Sequence, residues 1–272
     1  MDLAYFQIFT LAVIQGVAEF LPISSSGHVV VTASLFGGKQ ESLDAADLNI
    51  VLHVGTLGSI VVIYFDRIRK LLREDRKLIV YLAVATVPAV LVGVPLKKYC
   101  EHWLASPLLA GFLLIGTGLL LICGTRWAQN ANKENEQEAN PTGLSEITLG
   151  RALLIGCAQA LAILPGLSRS GLTITTGMAL RLSAKRAATF SFLMAIPVIA
   201  GGGILEIATL MGEAKAVSAP LTHLIMGGAV AMLVGILSLR FLLQCLDSGR
   251  FHWFAYWCIP FGIFAIYWNW TA

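Results

Sequence analysis

The sequence predicts an all-α polytopic membrane protein with an inverted-topology repeat, in which each half is a re-entrant helix hairpin plus three transmembrane helices. The composition is the first observation: of 272 residues, 57% are hydrophobic and only 13% are charged, and the mean hydropathy is +0.76. Soluble domains carry about 25% charged residues, so this balance excludes an ordinary soluble protein. The second observation is that the order of segments in residues 1–125 recurs in residues 148–272.

The chain begins with two apolar segments that are short for a bilayer crossing. We expect helices over about Leu3–Leu21 and Ser25–Phe36, whereas a transmembrane helix needs about 20 residues. Pro22 lacks an N–H and disfavours the helical conformation of the preceding residue, so it ends the first helix. The serines that follow can cap a second helix. The pair is therefore predicted to be a re-entrant hairpin.

Three longer apolar runs and a polar linker complete the first half. The runs lie near Leu48–Phe65, Leu78–Leu96 and Pro107–Ile122, and each is long enough to span a bilayer. Residues 126–147 are rich in Asn, Gln and Glu, a composition that is typical of solvated linkers. We expect this stretch to connect the two halves of a single integral membrane domain, 1–272.

The second half repeats the first. A hairpin is predicted over Leu149–Leu180, broken at Pro165–Ser170, with spans near Ala187–Met211, Leu221–Leu243 and Trp253–Trp270. A hairpin plus three spans crosses the membrane an odd number of times, so the second half is expected to be inserted upside down. This arrangement is typical of transporter folds whose broken helices meet near the bilayer midplane.

The distribution of basic residues predicts the orientation. With the N-terminus outside, the predicted inside loops hold 14 Lys and Arg residues and the outside loops hold four, and Arg169 within the membrane completes the total of 19. Loops on the cytoplasmic side carry the excess of Lys and Arg. The sequence therefore predicts that both termini lie outside.

The break in the first hairpin concentrates polar side chains within apolar sequence. It reads Gln15-Gly-Val-Ala-Glu19-Phe-Leu-Pro22-Ile-Ser24-Ser25-Ser26-Gly27-His28. Gln15 and Glu19 are four residues apart and share one helix face. Ser25 and His28 are three residues apart, so a nucleophile–base pair could form on the second helix. An ionisable group at membrane depth costs ~2.5–3.5 kcal/mol, which makes Glu19 a strong candidate for function.

The break in the second hairpin has the same layout and adds an arginine. It reads Gln159-Ala-Leu-Ala-Ile-Leu-Pro165-Gly166-Leu-Ser168-Arg169-Ser170-Gly171-Leu-Thr173. Free N–H groups at a helix start, hydroxyls and a guanidinium together are what an anion such as phosphate needs. We therefore expect the two breaks to meet within the membrane and to hold a phosphate group between them.

A purely structural interpretation exists for each ionisable residue. Glu19 and Arg169 could form an ion pair that only joins the hairpins, and His28 could be a histidine that is hydrogen-bonded within its helix. His53 and Glu206 are interpreted as mainly structural, because neither adjoins a backbone break.

Other sequence features indicate no further site. Trp residues at 253, 257, 268 and 270 lie near the ends of the last span and fit an interfacial aromatic belt. The five cysteines form no Cys-x-x-Cys pair and are interpreted as packing residues. The sequence has no P-loop, no dinucleotide-binding glycine motif, no zinc-protease motif and no basic–aromatic surface for nucleic acid.

The two break motifs resemble the signature motifs of the bacterial undecaprenyl-diphosphatase family (the BacA/UppP type), and the resemblance covers essentially the whole chain. It implies a phosphatase of the plasma (inner) membrane that converts undecaprenyl diphosphate to undecaprenyl phosphate and inorganic phosphate, which recycles the lipid carrier for cell-wall synthesis and confers bacitracin resistance. The family's first motif begins with Glu or Gln. Gln15 is therefore a poor candidate for a base or metal ligand, and Glu19 takes more of that role.

The resemblance implies a divalent cation, Mg²⁺ or Ca²⁺, bound together with the substrate, and Glu19 is the one candidate protein ligand. No organic cofactor is expected. The expected partners are a polyprenyl diphosphate lipid and the bilayer, with no nucleic acid. A homodimer stays open, because Gly-rich span faces would permit one.

The residues expected to act on the diphosphate fall into two sets. Glu19, Ser25, His28 and Arg169 are predicted to be catalytic. The predicted substrate-binding residues are Gln15, Ser24, Ser26, Gly27, Gly166, Ser168, Ser170, Gly171 and Thr173. Arg169 would clamp phosphate oxygens, Ser25 would attack the terminal phosphorus, and Glu19 or His28 would take its proton. Attack by His28 or directly by water are the alternatives.

A flippase or transporter of an anionic polyprenyl lipid or a small anion is the alternative function. Inverted repeats with broken helices are more often transporters than enzymes. The nucleophilic and acid–base groups at the breaks favour an enzyme, because binding alone does not require them.

Overall fold

The protein is helical throughout the part that the computed structural model describes, apart from turns and short connections. The described residues are 3–35, 45–135, 144, 147–212 and 220–271. Seven helices belong to the first half: α1 Leu3–Ala18, α2 Ser25–Leu35, α3 Ala45–Ile63, α4 Phe65–Glu74, α5 Arg76–Tyr99, α6 Glu101–Leu104 and α7 Pro107–Asn135. Five belong to the second: α8 Leu149–Leu161, α9 Arg169–Ala179, α10 Ala184–Gly212, α11 Leu221–Asp247 and α12 Ala255–Thr271. The predicted all-α class is confirmed for these residues.

Each of the two predicted hairpin segments consists of two helices with a break next to its proline. The α1 helix ends at Ala18, four residues before Pro22, and α2 starts at Ser25. In the second hairpin, α8 ends at Leu161 and α9 starts at Arg169. The breaks follow from the missing N–H of proline and from the serines that cap the next helix.

The chain is a multi-pass membrane protein. Among the described residues, α5, α7, α10 and α11 are long and apolar enough to cross a bilayer, and they coincide with four of the six predicted spans. The two other predicted spans differ. The helix pair α3–α4 bends by 75°, and α12 has 17 residues, somewhat short of the ~20 that a full crossing needs.

The charged segment after the first predicted span, Leu48–Phe65, is a helix rather than a loop. In α4, Leu71 is buried, whereas the Asp and Arg side chains around it are half-buried or exposed. Arg67 forms an ion pair with Asp75 at 3.4 Å. A short helix with one apolar and one basic face, steeply bent from a span, is the form of a helix that lies in the membrane interface.

The first residues of the predicted polar linker are helical. Helix α7 continues past its apolar part to Asn135, because Gln, Lys, Glu and Ala are good helix formers. The predicted linker residues 136–143, 145 and 146, and the side chain of Glu206, lie outside the described residues.

The core surrounds the two breaks and holds the hairpins in place. Phe20, which follows directly after Glu19, is fully buried and packs against Phe192 of α10 with ring centroids 5.8 Å apart. Along their lengths, α1 packs on α11 and α8 packs on α5. Each hairpin therefore rests on the middle long helix of the opposite half.

Candidate active site

The two hairpins meet directly at their breaks. Ser24 Oγ accepts a hydrogen bond of 3.1 Å from the Gly166 N–H, and a Cβ on Gly27 would lie 2.8 Å from the Cα of Gly166. Gly166 has a φ of +95°, a conformation that favours glycine. Thr117 of α7 fixes the second break, because its hydroxyl donates to the Gly166 carbonyl at 2.7 Å and accepts from the Ser168 N–H at 3.2 Å.

The two helix starts are built in the same way. Ser24 Oγ accepts from the Gly27 N–H at 3.3 Å, and Ser168 Oγ accepts from the Gly171 N–H at 3.2 Å. Each serine is thus the N-cap of its helix. Ser25 and Arg169 consequently hold the same position, the first residue of α2 and of α9. The positive ends of two helix dipoles face the same space.

This space is a cavity of about 60 Å³. One water molecule needs about 10–15 Å³ of such volume, so the cavity admits a group of a few heavy atoms, such as a phosphoryl group. Its polar wall consists of Glu19, Ser24, Ser25, Ser26, Ser168 and Arg169, and three apolar residues complete it. The structure therefore brings together three of the four predicted catalytic residues and three of the predicted binding residues.

An ion pair closes one side of the cavity. Arg169 Nη2 donates to Glu19 Oε1. The other carboxylate oxygen accepts from Gln15 Nε2 at 3.2 Å and lies 3.9 Å from His53 Nε2. Arg169 Nη1 is buried and has no hydrogen-bond partner among the described residues. A buried donor without a partner is costly, so this nitrogen is suited to an anion that enters the cavity.

His28 does not form the pair with Ser25 that the helical spacing allows. Its Nδ1 lies 2.7 Å from the carbonyl oxygen of Ser24, and its Nε2 accepts a hydrogen bond of 2.8 Å from the indole N–H of Trp257. Both ring nitrogens are therefore engaged away from Ser25. Within the described residues Ser25 Oγ has no hydrogen-bond partner, and its side chain lines the cavity.

Several predicted binding residues support the site from behind. Thr173 is fully buried and donates to the carbonyl of Arg169 at 2.8 Å, so it stabilises the first turn of α9 and does not line the cavity. Ser170 pairs with Ser168 at 3.2 Å between the hydroxyl oxygens. Gly171 packs against the first break, since a Cβ there would lie 3.3 Å from the Cβ of Pro22.

Three residues of the site were not assigned to it from the sequence. His53 was interpreted as structural but lies beside Glu19, and the rarity of ionisable groups within spans was a signal for it. Trp257 was interpreted as part of an aromatic belt but is bonded to His28. Thr117 gave no signal, because a threonine inside an apolar helix is common.

Replacing Gly27 by alanine should destabilise the protein and lower its activity. The new methyl group would collide with the backbone of Gly166, and overpacking of this kind costs about 1–3 kcal/mol. Thermal unfolding in detergent measures the effect. Gly150→Ala is the matched control, because a Cβ there meets nothing within 4 Å. Equal melting temperatures for the two variants would contradict the close contact of the hairpins.

The described residues offer no ready-made metal centre. Within them, no three His, Cys, Asp or Glu side chains come together in a way that could hold an ion. The one carboxylate of the cavity, that of Glu19, is already bound by Arg169. Three to four protein ligands are usual for a resident ion, so these residues do not fit one.

Comparison with known proteins gives matches along nearly the whole chain. The family model described as bacitracin resistance protein BacA matches residues 8–264. The undecaprenyl-diphosphatase of Rhodopirellula baltica is 44% identical over 263 residues, which are 97% of each chain. The undecaprenyl-diphosphatases of Pelotomaculum thermopropionicum and Desulfatibacillum aliphaticivorans are 37% and 34% identical, over 96% and 93% of this chain and 95% of theirs.

Proposed function

This chain belongs to the family of the bacitracin resistance protein BacA, and from that premise we propose how its two joined hairpins act as an undecaprenyl-diphosphatase. The enzyme hydrolyses undecaprenyl diphosphate to undecaprenyl phosphate and inorganic phosphate, which recycles the lipid carrier for cell-wall synthesis and confers bacitracin resistance. One observation carries the assignment of the site: the starts of two helices face one cavity at the hairpin breaks, together with Arg169 and with Ser25, whose hydroxyl has no hydrogen-bond partner within the described residues.

The terminal phosphoryl group of the substrate occupies this cavity. Phosphate binds at helix N-termini because the first N–H groups are unpaired and the helix dipole favours negative charge. Here two such termini converge, and Ser24 and Ser168 cap only the Gly27 and Gly171 N–H groups. The N–H groups of Ser25 and Ser26, which line the cavity, remain to bind phosphate oxygens. The prenyl chain extends from the cavity into the lipid.

Substrate binding replaces the Glu19 carboxylate by a phosphate group as the anion that Arg169 contacts. Without substrate, the Glu19 carboxylate neutralises Arg169. When the diphosphate enters, the guanidinium binds phosphate oxygens through Nη1 and Nη2, a bidentate contact that suits the planar group. Glu19 then loses its strongest partner while Gln15 and His53 keep it in place.

Ser25 is the nucleophile in this scheme. Its Oγ attacks the terminal phosphorus, its proton passes to Glu19, and the bond from phosphorus to the bridging oxygen breaks, so that undecaprenyl phosphate leaves. Water then attacks the phosphoserine, and inorganic phosphate leaves as Ser25 recovers its proton. Arg169 and the helix N–H groups stabilise the charge on the equatorial oxygens in both steps. His28 holds the backbone of the break and transfers no proton.

A divalent cation enters with the substrate. A diphosphate binds Mg²⁺ or Ca²⁺ on its own oxygens, and we assign the ion to the substrate because the protein supplies at most the Glu19 carboxylate. When bound, the ion neutralises charge on the diphosphate. Chelation should lower turnover about hundredfold, and adding Mg²⁺ or Ca²⁺ should restore it. Elemental analysis should find less than one ion per dialysed chain, and a stoichiometric ion after dialysis would contradict this assignment.

The packing of the hairpins supports the inverted repeat. Helix α1 closely approaches α11, where a Cβ on Gly16 would lie 2.8 Å from the Cβ of Val234. Helix α8 closely approaches α5, where a Cβ on Gly156 would lie 2.2 Å from the carbonyl oxygen of Ala85. In each contact, a hairpin of one half packs on a helix of the other half. A pseudo-two-fold axis in the membrane plane that relates the two halves would produce this pair of contacts.

We place the protein in the bacterial plasma (inner) membrane with both termini outside. The excess of Lys and Arg on the predicted inside loops supports this orientation. The basic face of α4 agrees with it, because the cytoplasmic leaflet is anionic and attracts basic interfacial helices. The second hairpin then enters from the inside and the first from the outside.

Product analysis separates the phosphatase from a flippase. Purified protein in detergent, given undecaprenyl diphosphate, should release one phosphate per lipid, and mass spectrometry should identify undecaprenyl phosphate. A flippase would move lipid across a vesicle bilayer without releasing phosphate. Absence of phosphate release with either divalent ion present would overturn the proposed chemistry.

A further inference from the structure

We propose that Trp257 is a positioning residue of this site: its indole N–H fixes the His28 tautomer whose Nδ1–H holds the Ser24 carbonyl and thereby the start of α2. The activity part of the test rests on the proposed phosphatase, whereas the tautomer is measured without substrate. Trp257 belongs to α12 and lies 229 residues from His28 in sequence. The last helix of the chain would thus set the geometry of the first hairpin.

The tautomer follows from the chemistry of the two contacts. An indole nitrogen carries a hydrogen and can only donate, so His28 Nε2, 2.8 Å away, must be the acceptor and must lack a proton. A neutral imidazole has one N–H, which then lies on Nδ1. That N–H points at the Ser24 carbonyl oxygen, 2.7 Å away. A proton on Nε2 would face the indole hydrogen and break the first contact.

The Ser24 carbonyl belongs to an unusual backbone conformation. Ser24 has a φ of +65°, in the left-handed region that residues other than glycine rarely adopt. Such a conformation persists where the surroundings fix it. Here the Ser24 carbonyl accepts from the His28 ring and, at 3.3 Å, from the His28 backbone N–H. The Ser24 hydroxyl meanwhile binds Gly27 and Gly166.

Stacked rings keep the imidazole in the plane that both hydrogen bonds require. The His28 ring lies parallel to the ring of Phe261, with centroids 4.4 Å apart and 4° between the planes. Phe261 also stacks on Trp257, at 5.9 Å and 10°. More than half of the Trp257 surface is exposed to the surroundings of the protein. Ring packing alone could be provided by a phenylalanine, so the indole N–H is the feature that position 257 adds.

Nitrogen NMR of histidine-labelled protein in detergent tests the tautomer directly. In the wild type, the His28 signal, assigned by its loss in His28→Asn, should show the proton on Nδ1 and an unprotonated Nε2 that accepts a hydrogen bond. In Trp257→Phe, the Nε2-protonated form should rise to a measurable fraction. A wild-type proton on Nε2, or an unchanged tautomer in Trp257→Phe, would overturn the proposal.

Activity measurements test whether the contact matters for phosphate release. Trp257→Phe keeps the ring and removes the N–H, and kcat should fall about five- to tenfold with KM within a factor of two, the size of effect that loss of one neutral hydrogen bond produces. Trp268→Phe makes the same change in the same helix, where the tryptophan packs against Phe264, and should leave kcat unchanged. Equal effects of the two substitutions would overturn the proposal.

Two substitutions of His28 separate positioning from proton transfer. Asparagine places an amide N–H near the Nδ1 position and can still donate to the Ser24 carbonyl, whereas glutamine places its amide near Nε2. If His28 acts by positioning, His28→Asn should keep about a tenth of the wild-type activity. The activity of His28→Gln should be at least tenfold lower than that of His28→Asn. Complete loss in both folded variants would overturn the proposal. An inactive wild type would refute the phosphatase instead, and the NMR result would still decide the tautomer.

Discussion

Replacing Arg169 by alanine should lower kcat for undecaprenyl diphosphate about thousandfold. Among the described residues, Arg169 is the one Lys or Arg in the wall of the cavity, and a guanidinium that stabilises transferring phosphate is worth about 10³ or more in rate. Lysine keeps the charge but loses the planar pair of donors, so Arg169→Lys should recover part of the rate. The rate of phosphate release at saturating substrate gives kcat for the wild type, Arg169→Ala and Arg169→Lys.

Loss of activity in Arg169→Ala must be separated from loss of folding. Removing one partner of a nearly buried ion pair leaves the other charge uncompensated, so Arg169→Ala should also unfold at a lower temperature. The double variant Glu19→Gln with Arg169→Ala removes both charges and should recover stability without recovering turnover. Arg240→Ala, an exposed arginine on α11, is the control. More than a tenth of wild-type turnover in folded Arg169→Ala would contradict the assigned role.

Replacing Ser25 by alanine should lower kcat by about 10³–10⁴-fold while KM stays within a few-fold of the wild-type value. The hydroxyl is the attacking group in the proposed scheme, and loss of a nucleophile has effects of this order. The backbone N–H groups that bind phosphate remain in the variant. Reactions that are quenched during turnover, with a label on the terminal phosphate of the substrate, should also give labelled phosphoserine in the wild type and none in Ser25→Ala.

Ser26→Ala is the matched control for Ser25. Its hydroxyl lies on the same wall of the cavity and 3.5 Å from Ser24 Oγ, yet the scheme gives it only a binding role, so the loss should stay below about tenfold. If Ser25→Ala hydrolyses the substrate as fast as Ser26→Ala does, Ser25 is not the nucleophile. In that case water attacks the phosphorus directly, and Ser25 has only a binding role.

The local architecture of the site was predictable from the sequence because local rules govern it. Pro22 and Pro165 follow shortly after the ends of α1 and α8, and the serines after them cap the helices that follow. The cost of an ionisable group within a membrane marked Glu19 and Arg169 as candidates for function, and an ion pair between them was the structural alternative. The structure has a helix break at both predicted places, and it brings Glu19 and Arg169 together in an ion pair.

The roles of single side chains depended on contacts that sequence spacing does not contain. Helical spacing alone permits a Ser25–His28 pair, but the direction of the imidazole is decided by Trp257 and Phe261 on a helix near the other end of the chain. His53 reaches Glu19 only because α1 and α3 pack side by side. The bend between α3 and α4 was missed for a different reason: the basic residues that predict the inside loops also form one face of a helix.

A structure of the protein bound to a polyprenyl diphosphonate, in which a methylene group replaces the bridging oxygen, tests the central claim most directly. The account predicts that the terminal phosphonate lies between the starts of α2 and α9, within hydrogen-bond distance of both terminal nitrogens of Arg169 and of the N–H groups of Ser25 and Ser26. It also predicts that the Glu19–Arg169 contact is broken. A phosphonate bound elsewhere, with that ion pair intact, would contradict the account.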